Sequence, residues 1–438
     1  MSAQPPSRSP GRPSVAVVGA GIAGLAAAYR LREHAEVTVF DREARAGGHA
    51  NTIEVEDNGR VLGIDTAFVV FNEPSYPNMT TFFSELDVPT LRHQGGFLFF
   101  DLDTGLRFGT QELGLPEEEL RGTYDEELLT IHREARRFHR EGRRDFLRKR
   151  TDMPLGEYLD RNGYSEAFRY GYVILLATAV WSVPAELVWE MPTTTVIAFF
   201  MAHDEAGLGG AGVDWRTVEG GSITYVRKAL AAIDAKLRLG DEVLAIHEEA
   251  DQVVISTAAG VAYFDYVVCA VHGDQARELL TEPTDIQQRV LAKIRYNQSL
   301  AVLHTDTSVL PADRARWENW NYGKLRVAGE TRPYVAYYMN RLHQLDTERD
   351  YLVTLDYPGE LDEARIIREL PYSHPVIDMD LRRLQEHIYQ VNVGGRVKLC
   401  GSYFHSKRLH WDQIGSHEAA FSAGTEAAAQ LLRELGVS

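Results

Sequence analysis

The residues best placed for chemistry stand near the start of the chain. Gly19, Gly21 and Gly24 follow the spacing Gly-x-Gly-x-x-Gly, between the apolar run VAVV from Val15 and the Ala- and Leu-rich segment LAAAYRLRE. With a strand before it and a helix after it, this spacing predicts a dinucleotide-binding turn. Gly19 permits the tight turn, Gly21 lets a pyrophosphate approach the backbone, and Gly24 lets helix and strand pack closely. Ala20, Ile22 and Ala23 complete the turn, whose helix N-terminus faces the phosphates. Asp41 ends the next apolar run, VTVF from Val37, where a carboxylate accepts ribose hydroxyls; Arg42 follows, and then the second glycine pair, Gly47-Gly48-His49.

Other reactive residue types have two readings each. His417-Glu418 is either an acid/base pair beside a cofactor or a helix start that Glu418 caps and charges. Arg326 lies among Trp317, Trp320, Tyr322, Tyr334, Tyr337 and Tyr338; it either fixes a substrate carbonyl or carboxylate or is a surface cation. His132 and His139 stand two turns apart with no third ligand, so no metal is expected. Neither a Gly-x-Ser-x-Gly elbow nor a Cys/His nucleophile arrangement is present.

The elements that must carry these residues alternate as strand, helix, strand from Val15, which is a βαβ unit. From about Leu113 to Val183 the pattern is helical, first Arg- and Glu-rich and then apolar. In HREARRFHREGRR the interleaved acids make a solvated helix face. Strand-like alternation resumes after Trp215 and runs through VVCAV, LAVLHTD, YVAYYMN and VKLCGSY to a final Ala-rich helix. Composition narrows the function classes further. Lys plus Arg number 46 against 63 for Asp plus Glu, a net charge of −17 that repels phosphate backbones, so nucleic acid is not an expected partner. Cys269 and Cys400 fall in apolar strand-like runs without metal-ligand spacing and read as reduced core residues of a cytoplasmic protein. No apolar run reaches the roughly 20 residues of a membrane-spanning helix. Residues 1–14 carry no apolar signal core and read as a disordered tail.

The string VAVVGAGIAGLAAAYRL, followed by VTVFDREARAGGH, resembles the N-terminal signature of the flavin amine oxidase superfamily, which also holds phytoene desaturase and protoporphyrinogen oxidase types. GIDTAFVVFN, AVWS, DWRTVEGGSITYV, WNY, YVAYYMN and HPVID resemble a bacterial group of amine-oxidase-like FAD proteins. This resemblance implies FAD, with Gly47, Gly48 and His49 on the far side of its diphosphate, Thr66 and Ala67 beside it, and the Val243 backbone at the adenine. GSHEAAFSAGTEAA from Gly415 resembles the closing motif, whose helix start, with Glu418, Ala419 and Ala420, points at the flavin pyrimidine.

Departures from the family pattern are informative. Gly401, Ser402 and Tyr403 stand where an acidic residue is usual, and Ser416 stands where a cage tyrosine is usual. The customary lysine near the flavin has no equivalent in SLAVLHTD, where His304 lies, and Cys400 does not match a cysteinyl-flavin motif, so FAD is expected to be non-covalent. Arg326, Ser416, His417 and Tyr403 are the candidates on the substrate side.

The expected fold is α/β, with a Rossmann-type FAD-binding domain from residues 15–75, 215–275 and 395–438. A substrate-binding domain from 76–214 and 276–394 carries a mixed sheet and a helical cap over about 113–183. The expected activity is oxidation of a C–N bond in a bulky small-molecule substrate, with ring-closing C–C bond formation as an extension. A lipid or polyene desaturase or isomerase is the alternative. A single dinucleotide fingerprint points to oxygen or another small acceptor, and a homodimer is left open.

Overall fold

The computed structural model describes residues 11–181, 183–203, 214–405 and 413–437. The first ten residues of the expected tail, Ser182 of AVWS and the GLGGAG stretch lie outside the described residues. The fold is α/β. Strands β1 (Ser14–Val18), β2 (Glu36–Asp41), β3 (Lys236–Leu239), β4 (Tyr266–Cys269) and β5 (Val397–Leu399) form one sheet in the order β5-β4-β1-β2-β3. Every pairing in it is parallel, so all five strands end at one edge. Parallel strands need cover on both faces, which is why β1 is a continuous apolar run. Helices α1 (Ile22–Leu31) and α4 (His417–Glu434) pack against each other beside this sheet. Their approach depends on Gly424, where an added Cβ would lie 2.0 Å from the Ala23 carbonyl oxygen. A three-stranded antiparallel sheet from Val243 to Phe264 meets the parallel sheet through Phe264, whose ring lies edge-on to Phe40 at 5.8 Å.

The remaining large sheet has seven strands, ordered Ile366–Pro375, Tyr296–His304, Leu352–Leu355, Glu330–Tyr338, Trp320–Val327, Phe97–Asp101 and Arg107–Gly109. Its pairings are antiparallel except that of Trp320–Val327 with Phe97–Asp101. Strand alternation divides its aromatics. Tyr322 and Val335, with Trp320 and Tyr337 partly buried beside them, pack toward the helical layer; Trp317, Tyr334 and Tyr338 pack in a separate core. The six aromatics therefore do not form one substrate-facing cluster, as their nearness in sequence suggested.

The helical layer runs on to His203, past the expected end at Val183. Its last helix, Thr193–His203, is rich in β-branched residues that disfavour helix, and packing overrides that preference. Ile197 lies against Gly142 of the long helix Glu126–Leu147, 3.0 Å from where a Cβ would stand. That long helix starts on Asp125, whose carboxylate accepts the Leu128 N–H at 2.9 Å, and it buries Leu128, Ile131, Ala135 and Phe138. His132 on it bonds the Leu115 carbonyl and His139 the Tyr172 hydroxyl. Among the described residues no helix is long and apolar enough to cross a membrane.

Candidate active site

The ends of β1, β2 and β4 converge on the glycine turn. Gly19 has φ +104, and a Cβ there would sit 2.7 Å from the Ala270 carbonyl just beyond β4. Gly24 is more confined still, because its Cβ would lie 1.9 Å from the Gly19 carbonyl oxygen. Gly21 is different: nothing lies within 4 Å of the position its Cβ would take. It begins α1 in extended conformation and supplies no side-chain cap, which leaves the first helical N–H groups to an external acceptor. The Ala20 N–H donates to Asp41 Oδ2 at 2.7 Å and the Glu43 N–H to Oδ1 at 2.8 Å, tying the turn to the end of β2. The second glycine pair docks on the first. Gly47 donates to the Ala20 carbonyl at 2.8 Å, and a Gly48 Cβ would be 3.2 Å from Gly21 Cα. Open space over an uncapped helix start, a second backbone turn beside it and a carboxylate at the next strand end are what a dinucleotide diphosphate and ribose require.

At the other end of the cleft α4 begins. Ser416 is its N-cap, with Oγ accepting the Ala419 N–H at 3.1 Å. The Gly415 N–H donates to the Ser402 carbonyl at 2.7 Å, which joins the helix start to the segment after β5. His417 lies flat on Phe68, ring centroids 3.9 Å apart, and its Nε2 shares a 2.8 Å hydrogen bond with the Tyr225 hydroxyl. Burial, then the neighbouring His49, lowers the His417 pKa to about 3, so this ring is neutral at physiological pH.

Glu418 has a role neither sequence reading anticipated. It is fully buried, and its carboxylate accepts the Asn78 N–H at 3.1 Å, the Met79 N–H at 3.0 Å and the Asn78 side-chain amide. It thereby caps the start of a different helix, α2 (Pro77–Glu85). Ala419 and Ala420 are buried behind it.

Two further candidates are displaced from the cleft. Arg326 is exposed near the tip of the Trp320–Tyr338 hairpin, and its backbone N–H donates to Asp103 at 2.7 Å. It stands six residues from Trp320, about 20 Å along an extended strand. Tyr403 is completely buried against Phe404, with its hydroxyl unpartnered, and does not reach a substrate surface. His304, at the far end of its strand from Tyr296, is core; its Nδ1 accepts the Asp306 N–H. Thr66 is buried, its hydroxyl bonded to the Asn51 carbonyl at 2.9 Å and to the Tyr372 hydroxyl at 2.7 Å; Ala67 is half-buried beside it. Val243 is buried at the start of its strand, and Arg42 is exposed beyond β2.

Residues that sequence reasoning passed over also meet here. His272, after β4, stacks on Tyr296 at 4.5 Å, and His374 lies 5.2 Å from His49. Buried Asp65 accepts the Ser222 N–H and hydroxyl and the Thr52 hydroxyl, with His343 Nε2 at 3.5 Å. Burial raises the Asp65 pKa and lowers that of His343. This carboxylate sits at the start of α3 (Ile223–Ile233) and pins that helix to the Thr52–Asp65 hairpin. GID, EGGS and HPVID carried the signal, since each string supplies one of these residues.

A parallel sheet with paired glycine turns at its C-terminal edge and a helix start facing them defines a dinucleotide-dependent oxidoreductase of the flavin type. Residues 22–311 match the family of flavin-containing amine oxidoreductases, and the chain belongs to that family. It is an FAD-dependent oxidoreductase of that family. The fold is shared with a triple mutant of putrescine oxidase (TM-score 0.69, 15% identity, covering 97% of this chain and 99% of that one). Cyclohexylamine oxidase from Brevibacterium oxydans IH-35A is similar (0.67, 14%, 97% and 100%), as is reduced UDP-galactopyranose mutase (0.65, 15%, 96% and 94%). Mitochondrial protoporphyrinogen oxidase of Nicotiana tabacum is 55% identical over 40 residues, 9% of this chain and 8% of that protein's length.

Proposed function

We propose that the chain holds FAD non-covalently and dehydrogenates the C–N bond of a bulky amine or amide, passing the electrons to oxygen. In this reading residues 15–75, 215–275 and 395–438 hold the cofactor, 76–214 and 276–394 hold the substrate, and the enzyme works in the cytoplasm. Bound flavin supplies a two-electron acceptor for the hydride leaving the carbon beside nitrogen, and oxygen becomes hydrogen peroxide. The chain's own residues position, dehydrate and polarise. The uncapped start of α1 meets the diphosphate, and the start of α4 places positive dipole where negative charge collects.

Ser416 is the observation that carries the substrate reading. Its small side chain turns back onto Ala419, and the next ring, His417, lies flat on Phe68. No aromatic side chain at 416 narrows the approach, so a slim primary amine loses the contacts that would orient it. A larger substrate gains position from remote groups such as Trp320 and Tyr337. Non-covalent attachment is supported by both cysteines, which are buried; burial pushes the Cys269 thiol up to about 12 and the Cys400 thiol up as well.

Loss of hydride leaves an imine or iminium. A substrate that carries its own carbon nucleophile then closes a ring: the nucleophile's electrons form the C–C bond to the iminium carbon, and its proton leaves to solvent. This chemistry is similar to that of the amide oxidase and macrocyclase of lankacidin biosynthesis, and it makes an antibiotic-type secondary metabolite the expected substrate. Oxygen uptake and peroxide release across a panel of amines and N-acyl macrolide-like or peptide-like compounds test the reading. Turnover is expected only with the bulky members, and efficient oxidation of benzylamine or putrescine overturns it. Ser416→Tyr should abolish turnover of the bulky substrate while the purified protein stays yellow.

A further inference from the structure

Four partly exposed imidazoles line the cleft between the glycine turns and the start of α4: His49, His272, His374 and His417. They come from four separate stretches of chain. The His49 ring lies 5.0 Å from Tyr372, 5.2 Å from His374 and 6.0 Å from His272. One of its nitrogens bonds the Ser373 backbone, while Nε2 is buried without a partner. His49 directly follows Gly48, which abuts Gly21; His272 lies two residues beyond Ala270, which abuts Gly19. These two rings therefore meet each other beside the glycine turn, each carried there by a backbone segment that touches one of its glycines.

The charged and titratable groups around them are predominantly basic. Arg42 and His374 act on His272, Arg45 acts on His49 and Tyr372, and His49 acts on both His374 and His417. Asp274 acts on Tyr296, under the His272 ring. The buried carboxylates nearby, Asp65 and Glu418, are engaged with backbone N–H groups. Burial first, and then these neighbours, lowers His49 and His272 to about 4 and His374 to about 3. In the cofactor-free protein at neutral pH all four rings are uncharged.

We propose that the His49–His272 pair takes up a proton from solvent when the FAD diphosphate enters the glycine turns, so that cofactor loading is proton-coupled. The inference rests on the flavin reading above. The diphosphate's negative charge offsets both the burial penalty and the repulsion that Arg42 and Arg45 exert on a protonated ring, and it acts on the two rings nearest the turn. A group whose affinity for protons rises on binding makes that binding tighter as pH falls, approaching about tenfold per pH unit for each whole proton taken up. His417, held by Tyr225 and Phe68 at the far end of the cleft, stays neutral.

Calorimetric titration of the full-length protein, freed of nucleotide, with FAD at pH 6.5 in two buffers of different ionisation enthalpy counts the protons. We expect uptake of about one-half to one proton per FAD, and affinity about two- to tenfold tighter at pH 6.5 than at pH 7.5. ADP-ribose, which carries the same diphosphate without the flavin ring, should show the same uptake. FAD binding with no net uptake overturns the proposal, as does uptake with FAD but none with ADP-ribose. His49→Asn and His272→Asn should each reduce the count, and unchanged uptake in both overturns the assignment to this pair. Failure to bind FAD at any pH instead overturns the flavin reading on which the proposal stands.

Discussion

Backbone shapes the cleft around the glycine turns, whereas side chains shape the region between the seven-stranded sheet and the helical layer. In the first, Gly19, Gly24 and Gly47 are glycine because other backbone lies within 3 Å of where a Cβ would stand, and Gly21 because the space above it is kept clear. In the second, the packing is set by which aromatics the strand alternation sends toward the helices, Tyr322, Trp320 and Tyr337 among them. A backbone-built site tolerates few substitutions and recognises what every dinucleotide shares. A side-chain-built site can be refitted to a new substrate without disturbing the fold.

The sharpest way to break this contrast is to fill the two kinds of glycine. Gly21→Val should cost FAD binding about a hundredfold or more while leaving the cofactor-free melting temperature nearly unchanged, because the added side chain meets only open space. Gly24→Ala should instead fail to fold, or melt with a loss of about 3 kcal/mol or more, since its Cβ overlaps the Gly19 carbonyl. Flavin absorbance of the purified protein and thermal melts with and without FAD separate the two outcomes.

Glu418→Gln is the next largest. A buried cap on α2 should cost about 2–3 kcal/mol in denaturant unfolding when its charge is removed. An acid/base group would lose activity without that destabilisation. Acidification has a smaller, graded effect. The unfolded chain's histidines protonate near pH 6.5, whereas His49 and His272 resist until about 4, so the unfolded state binds more protons between those values. Stability of the FAD-free protein is therefore full above pH 6.5 and is lost as pH falls toward 4, which melting curves across that range will show. Smallest of all is Arg326→Ala. Its side chain is exposed at the hairpin tip, and stability should change by no more than about 0.5 kcal/mol, with kcat/KM unaltered.

The same contrast governs what the sequence made legible. The βαβ unit and its turn could be read because close backbone contact leaves a glycine at a fixed spacing. The continuous apolar runs marked strands buried on both faces. Nearness along the aromatic segment does not translate into one cluster because strand alternation splits it: in the hairpin register Tyr337 faces Trp320 and Tyr334 faces Gly323, and the two pairs point to opposite sides. Glu418 was unreadable for another reason, since its partners lie some 340 residues away in sequence. The imidazole cluster likewise assembles only once the sheets pack, and no spacing within one segment announces it.

The contact of Gly424 with Ala23 sets a schedule for the ribosome. At about 5–20 residues per second, the roughly 400 residues between those positions take on the order of 20–80 s to synthesise. For that interval the Ala-rich face of α1 has no mate, and β1, the middle strand of its sheet, has β2 beside it early but lacks its other neighbour β4 until far later in the chain, with the edge strand β5 later still. The nascent protein thus emerges with its cofactor turn encoded but uncovered, an interval in which chaperone occupancy of the N-terminal segment should be highest.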